Sequence, residues 1–383
     1  MQLALVSGEY PPKQGGVGDF TQALALACAS QNNAVRVICE QTSVANDSIT
    51  PVTVQRVCSP RWGWRDLERV HRATATADLV NIQYQAAAYA GMRPPIHFLP
   101  NWLRYRQPKR RVVVTFHDLR IPYLFPKAGG LRQQAVRHLA HSAHGCIATN
   151  AADSAQLRAW GITHVAEIPI GSNIPKQPPA KFDRQAWRAA HSLTNGQAVV
   201  GYFGFLHPIK GGSTLLHALA QLPTPDWQLL LIGGQTGSSD ANTTAPYAAE
   251  LAALAQQLGI AQHIRRTGFL PPPETSAALL SCDLMVQPYA DGASLRRGTL
   301  LACLAHGIAT LTTQPSQPLP GLHNGKNIWL VPAEQPAALA QALQTLLADQ
   351  SLRQRLGAGG EQFAAQFSWD AIARQTLAFF QGL

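Results

Sequence analysis

The residues best suited to chemistry are in 289–313, YADGASLRRGTLLACLAHGIATLTT. Asp291, Ser294, Arg296 and Arg297 lead into Gly298 and an apolar helix starting at Thr299. Such a helix start gathers free backbone N–H groups and two guanidinium forks at one point, which suits a diphosphate. The same residues would equally serve an ordinary amphipathic core helix with two solvated arginines. Lys210 lies in GFLHPIKGG, residues 204–212, just before another helix. There it can act as a point charge on a phosphate, although an isolated lysine is usually a solvated surface charge. In residues 9–20, EYPPKQGGVGDF, Gly15 and Gly16 precede a helix. Bare backbone lets a bound group come close, and a helix start favours negative charge. This loop is neither a GK[ST] phosphate loop nor GxGxxG, and a plain strand-to-helix turn is its alternative. His117, followed by Asp118, ends the run VVVTF. A histidine at a strand's carboxyl end could hydrogen-bond a sugar hydroxyl or a transferring oxygen, with nearby backbone as the other natural partner.

These residues need elements to hold them. Leu3–Val6, Val35–Cys39, Leu79–Ile82, Arg111–Phe116 and Cys146–Thr149 read as buried strands, separated by helical stretches such as Asp19–Ser30 and Leu131–Ala143. After the proline-rich Ile174–Ala180 a second series begins at Ala198–Phe203 and alternates strand and helix to Ala309–Thr312. The expected fold is α/β, with two doubly wound parallel-sheet (Rossmann-like) domains facing across a cleft that takes the ligand. The expected domains are 1–175 and 181–367, with a last helix over about 368–383.

Composition narrows the class. Of 383 residues 46% are hydrophobic and 14% charged, which describes a well-packed globular chain. The six cysteines are scattered without metal-like spacing and read as buried thiols of a reducing compartment. No stretch is apolar enough to cross a bilayer, and the N-terminus lacks the basic region of a signal peptide. A cytoplasmic protein is expected. The net charge of +10 favours anionic partners. No recognisable nucleic-acid module accompanies it, so no nucleic acid is expected. Arg104, Arg106, Lys109, Arg110 and Arg111 follow Phe98 and Trp102. Aromatic and basic residues together could seat peripherally at a membrane, but the cluster reads first as a solvated loop.

Taken in order, EYPP…GGVGDF, a strand ending in HD, G-x5-K-G, LIGG, TGFLPPPE, CDLMVQPY, a loop and helix ending in HG, and a terminal FSW resemble the retaining family 4 glycosyltransferases of the GT-B fold, the glycosyl transferases group 1. The resemblance runs over nearly the whole chain and is specific only collectively. It implies transfer of a hexose from a nucleotide-diphosphate sugar, a UDP-sugar ahead of a GDP-sugar, to an acceptor hydroxyl of a glycan, a lipid-linked sugar or a small molecule. His117 would contact the transferred sugar, and Gly15 and Gly16 would line the cleft near the diphosphate or acceptor. Lys210 would neutralise the diphosphate, and the backbone of Gly268, Phe269 and Leu270 would meet the nucleobase. Acceptor specificity would lie on first-domain loops, around Tyr84–Arg93 and Pro122–Gly130.

Two departures stand out. Phe205 occupies the place where the family commonly has an arginine, and Ser294 and Ala302 fall at its two glutamates. Arg296 and Arg297 could replace the missing arginine, and Asp291 could supply a carboxylate to the sugar. No cofactor and no metal are expected: no DxD stands at a strand end, and Lys210 with the arginines can hold the diphosphate. With no carboxylate nucleophile at the obvious positions, front-face attack by the acceptor is expected. Two other readings remain, a non-catalytic sugar-nucleotide-binding subunit and, further off, a sugar-nucleotide epimerase, which would need more acid–base groups.

Overall fold

In the computed structural model, uniformly apolar runs become the inner strands of two sheets. The structure describes residues 1–13, 15–42, 48–49, 51–89, 93–119, 129–172, 174–194, 196–223, 226–233 and 241–383. The chain divides into two compact units, Met1–Gly171 with Ser368–Leu383, and Ser172–Phe367. Residues 174–180 therefore fall with the second unit.

In the first unit the strands are β1 (Gln2–Ser7), β2 (Ala34–Glu40), β3 (Ser48–Ile49), β4 (Val52–Cys58), β5 (Leu79–Tyr84), β6 (Arg111–Phe116), β7 (Gly145–Ala148) and β8 (Val165–Glu167). Their order is β3-β4-β2-β1-β5-β6-β7-β8. All pairs are parallel except β3 with β4. Strand β4, VTVQRVC, alternates buried and more exposed residues; this half-exposed pattern does not stand out in a search for uniformly apolar runs. The helices are α1 (Gly16–Ser30), α2 (Trp64–Ala73), α3 (Pro94–Arg106), α4 (Gly129–Ser142) and α5 (Ala151–Ala159). Side-chain alternation sends Ala4, Val6, Val80 and Ile82 into one core and Leu3, Leu5 and Leu79 into another on the opposite sheet face. The C-terminal helix Trp369–Gln381, capped by Ser368, adds Ile372, Ala373, Leu377 and Phe380 to that second core beside Leu24 and Cys28 of α1.

Of the basic cluster, two residues end a helix, Lys109 and Arg110 lie in the turn after it, and Arg111 begins β6. Arg104 and Arg106 lie in the last turn of α3. Arg110 is 1% exposed and donates to Thr74 Oγ1 at 2.9 Å and to Gln107 Oε1. Pro94 and Pro95 open α3, where the missing N–H costs nothing, while Pro100 lies inside it.

The second unit contains α6 (Arg184–Ala190), β9 (Ala198–Phe203), α7 (Gly212–Leu219), β10 (Trp227–Ile232), α8 (Ala241–Gln257), β11 (Ile264–Gly268), α9 (Pro272–Leu280), β12 (Leu284–Gln287), α10 (Gly298–Ala305), β13 (Thr310–Thr313), β14 (Trp329–Val331), α11 (Pro336–Ala348) and α12 (Gln350–Ala364). Its wholly parallel sheet runs β11-β10-β9-β12-β13-β14. The order reverses between β9 and β12. In a doubly wound sheet the loops leaving two such strands part to opposite faces and open a crevice at their carboxyl ends. The loops carrying Lys210 and Arg297 are those two loops.

Candidate functional site

The loops after β9 and β12 are tied together. A Cβ on Gly211, at φ +70°, would meet the Pro288 carbonyl oxygen at 1.8 Å, so only glycine allows this approach. Ala290 N–H donates to Ile209 O at 2.9 Å, Thr313 Oγ1 donates to Tyr289 O at 2.7 Å, and Thr312 Oγ1 donates to Gln287 O at 2.6 Å. Three strand ends are thereby fixed relative to one another.

This scaffold brings the cations together. Gly204, the first residue beyond β9, has φ +123°, and a Cβ there would lie 3.0 Å from both Lys210 Nζ and Thr299 Cγ2. Lys210 and the start of α10 thus meet over bare backbone. The Lys210 ammonium also lies 5.7 Å from the centre of the Phe205 ring. Burial, with the charge of Arg297 added, holds its pKa down to about 8. The Arg297 guanidinium rests 4.0 Å above the ring of Tyr289 and pairs with the carboxylate of Asp291. Tyr289 is fully buried, and its hydroxyl hydrogen-bonds Thr299 Oγ1 at 2.9 Å. Ser294 accepts from the N–H groups of Arg296, through its hydroxyl, and of Arg297, through its carbonyl. Helix α10 therefore starts, at Gly298 and Thr299, with positive charge on both sides and with the N–H groups that a helix start leaves unpaired. Asp291, expected as a carboxylate for the sugar, pairs with Arg297.

The third group of expected residues ends β11, two strands from β9. Gly268, at φ +69°, bridges Gly233, and the Gly233 N–H donates to Thr267 Oγ1 at 3.2 Å. The ring of Phe269 is 77% exposed, while Leu270 packs against the core. An exposed aromatic ring beside open backbone is a platform on which a flat base can stack.

In the first unit His117 is 7% exposed, and burial lowers its pKa to about 3, so the ring is neutral near pH 7. Its Nε2 lies 2.9 Å from Gln83 Oε1. The amide nitrogen of Gln83 is committed to Asn81 Oδ1, so Oε1 must accept and His117 Nε2 carries the proton. Asn81 in turn donates to Thr115 Oγ1 at 3.0 Å. Asn81, Gln83, Thr115 and His117 share one sheet face by the period of two. The edge of Phe20 closes on His117 at 4.6 Å, and Trp369 on Phe20 at 5.1 Å. Glu9, Gln83 and Tyr289 were assigned no role from sequence; they act through partners 8, 34 and 8 or more residues away, a separation that no local motif records.

The glycine loop differs from expectation in one respect. The carboxylate of Glu9 accepts from Val17 N–H at 2.9 Å and Gly18 N–H at 3.3 Å. A Cβ on Gly15 would lie 2.3 Å from that carboxylate, whereas one on Gly16 would meet nothing within 4 Å. The chain itself thus supplies negative charge to this helix start. Glu9 and burial together raise the pKa of Asp19. Residues 90–92 and 120–128, which include parts of both expected acceptor loops, lie outside the described residues. Among the described residues no three His, Cys, Asp or Glu side chains come together as metal ligands would, and no helix is long and apolar enough to cross a membrane.

Comparison with known proteins accords with this geometry. The family model "Glycosyl transferase 4-like domain" matches residues 15–171, and "Glycosyl transferases group 1" matches residues 183–363. A D-inositol 3-phosphate glycosyltransferase of Jonesia denitrificans is 33% identical over 217 residues, 53% of this chain and 47% of that protein. Its counterpart in Corynebacterium urealyticum is 28% identical over 225 residues, 57% and 51% of the two chains. The chain spans about half the length of the curated relatives it matches. Sucrose-phosphate synthase from Thermosynechococcus elongatus superposes with a TM-score of 0.75 at 21% identity, covering 100% of this chain and 99% of that one. Anabaena HepE, solved in complex with UDP, superposes with a TM-score of 0.74 at 18% identity, covering 100% of both chains. With its two units matched in turn by these family models and its fold shared from end to end, the chain belongs to the glycosyl transferases group 1 and has the GT-B fold.

Proposed function

We propose that this chain transfers a hexose from a UDP-sugar to an acceptor hydroxyl, with retention of configuration and without a metal ion. The observation that carries this reading is the pair Lys210 and Arg297 at the carboxyl edge of the second sheet, two cations close enough for the charge of Arg297 to depress the Lys210 pKa, with Arg297 also paired to Asp291. They repel one another until an anion arrives, and a diphosphate bridging them relieves that repulsion. As the bond to the sugar breaks, negative charge gathers on the departing diphosphate. Lys210, Arg297 and the N–H groups of Gly298 and Thr299 would receive it. UDP is favoured because HepE is solved with UDP and with UDP-glucose. The base would lie on Phe269 and the backbone of Gly268 and Leu270. Asp291 acts by holding Arg297 in place. His117, neutral and with its proton held on Nε2, would orient the sugar rather than supply a proton to it. Gly16 would offer open backbone near the diphosphate or acceptor, while Gly15 makes room for the Glu9 carboxylate.

A second reading, a subunit that binds the sugar nucleotide without turning it over, draws support from Ser294 and Ala302, which put no carboxylate at two places where the family commonly has one. One experiment separates the two. UDP release from UDP-sugars, followed by chromatography, should occur in the wild type and fall by orders of magnitude in His117→Ala, while calorimetric UDP affinity stays close to wild type. Equal release by the two proteins would remove His117 from catalysis. Binding without release in either would leave the silent subunit as the better account.

A further inference from the structure

The face of the first unit formed by the start of α2 with α3 and α4 turns apolar side chains to solvent. Trp64, Phe98, Tyr105 and Leu131 are 61%, 44%, 79% and 79% exposed. Helix α3 is apolar on two sides. Ile96, Leu99 and Leu103 enter the core with Trp102 half-buried against it, while Pro94, Phe98 and Tyr105 lie on the outer side. Across from them Leu131, Ala135 and His138 of α4 complete a shallow groove of about 260 Å³ with Pro94 and Phe98. The rings of Trp64, Phe98 and His138 continue one another, with centroids 5.6 Å and 5.1 Å apart. An exposed, contiguous apolar face of this kind requires a partner to explain it.

The charge on α3 and α4 has one sign. Between residues 79 and 152 the sequence has ten Lys and Arg and a single carboxylate, Asp118. Helices α3 and α4 contain no acidic residue. Glu68 of α2 is drawn into pairs with Arg72 at 3.0 Å and Arg106 at 2.7 Å. Arg132 lines the groove, and Arg93, Arg104, Arg106 and Arg137 are exposed on or beside α3 and α4.

We propose that this face docks on an anionic membrane surface, with Trp64, Phe98, Tyr105 and Leu131 entering the headgroup boundary and the arginines meeting lipid phosphates. A polyanion such as nucleic acid would satisfy the arginines but leave Leu131 and Trp64 in water. An anionic bilayer offers an apolar layer beneath a charged one, matching both features of the face. Indole and phenol rings favour that boundary because one end is apolar and the other hydrogen-bonds. The attachment is peripheral, since no helix among the described residues is long and apolar enough to cross.

The test is flotation of the full chain with vesicles of phosphatidylcholine alone or mixed with phosphatidylglycerol, at low and high salt. The chain should float with the mixed vesicles at low salt and be released by high salt. Phe98→Ser combined with Leu131→Ser should abolish flotation without changing UDP affinity. Arg93→Glu with Arg137→Glu should weaken it by at least about fivefold per charge. Should the double serine variant unfold, Tyr105→Ser supplies the apolar arm, because that ring is 79% exposed and its centroid is 6.4 Å from that of Trp102. Equal flotation with neutral vesicles, or serine variants that float as well as wild type, would overturn the proposal. So would binding to heparin or duplex DNA that the serine variants retain while no vesicle binds, which would assign the face to polyanions.

Discussion

Lys210 has an ordinary value of 10.5 that burial and Arg297 bring down to about 8, and this determines how diphosphate binding responds to pH. A bound diphosphate puts negative charge beside the ammonium and pulls its pKa back up. Free protein at pH 8 therefore has about half of its Lys210 charged, and the complex nearly all of it. At pH 7 about nine-tenths is charged before binding and at pH 9 about one-tenth, so the apparent affinity should fall about tenfold between these values. UDP contributes little to that change, because its terminal phosphate titrates near pH 6. Calorimetry of UDP binding in two buffers of different ionisation enthalpy should record uptake of about half a proton at pH 8 and about a tenth at pH 7. Lys210→Met should bind more weakly and lose both the uptake and the slope. Arg297→Ala should also bind more weakly, by about 1.5–3 kcal/mol for a lost charge-assisted contact, while UMP affinity barely moves. It should shift the proton-uptake window to higher pH, since one cause of the depression is gone. The same shift affects the free protein. Between about pH 8 and 10.5 the unfolded chain holds more protons at this lysine than the folded one, so Lys210 alone makes stability rise with pH across that window. Wild-type affinity that stays flat from pH 7 to 9 with no proton uptake at pH 8 would refute the assignment of Lys210 to the diphosphate.

Three further outcomes are expected. Tyr289→Phe keeps the ring under Arg297 and should lose little UDP affinity, whereas Tyr289→Leu removes the ring and should cost roughly 0.5–2 kcal/mol. Made on Arg297→Ala, Tyr289→Leu should add almost nothing, and calorimetry finding full additivity would separate the two residues. Because burial keeps His117 neutral, with a pKa of about 3, turnover should show no inflection from this residue between pH 5 and 8. An inflection lost in His117→Asn would contradict its neutral state. Turnover should persist in EDTA, and loss on chelation that manganese or magnesium restores would show that Lys210 and Arg297 do not suffice.

How much could be read beforehand followed from how local each signal is. The cation loops were legible because Lys210 precedes its glycine pair and Arg297 its helix within a few residues. The inner strands were legible because parallel strands covered on both faces are continuously apolar. Strand β4 alternates and was not. Helix α3 was hidden by its three prolines: two suit a helix start, and the third, Pro100, lies inside the helix. The arginines behind it consequently read as a loop. Glu9 at the start of α1, Gln83 on His117 and Tyr289 under Arg297 are matters of tertiary placement. Gln83 reaches His117 through strand register, and Glu9 and Tyr289 reach their partners because a single loop folds back on itself.

The C-terminal helix has a consequence for the order in which the molecule can be built during synthesis. Residues 172–367 of the second unit are contiguous in sequence, so nothing it needs lies outside its own span. The first unit is discontinuous, because Ile372, Ala373, Leu377 and Phe380 belong to the core that also holds Leu24 and Cys28. While the chain leaves the ribosome, that core face has no cover until nearly 200 further residues have been made. The second unit is then free to fold first, with the early strands waiting in a partly assembled state that is the natural client of a chaperone. Trp369, at the start of the late helix, lies against Phe20, which lies against His117. The setting of that histidine is therefore completed only once Trp369 and its helix have been made.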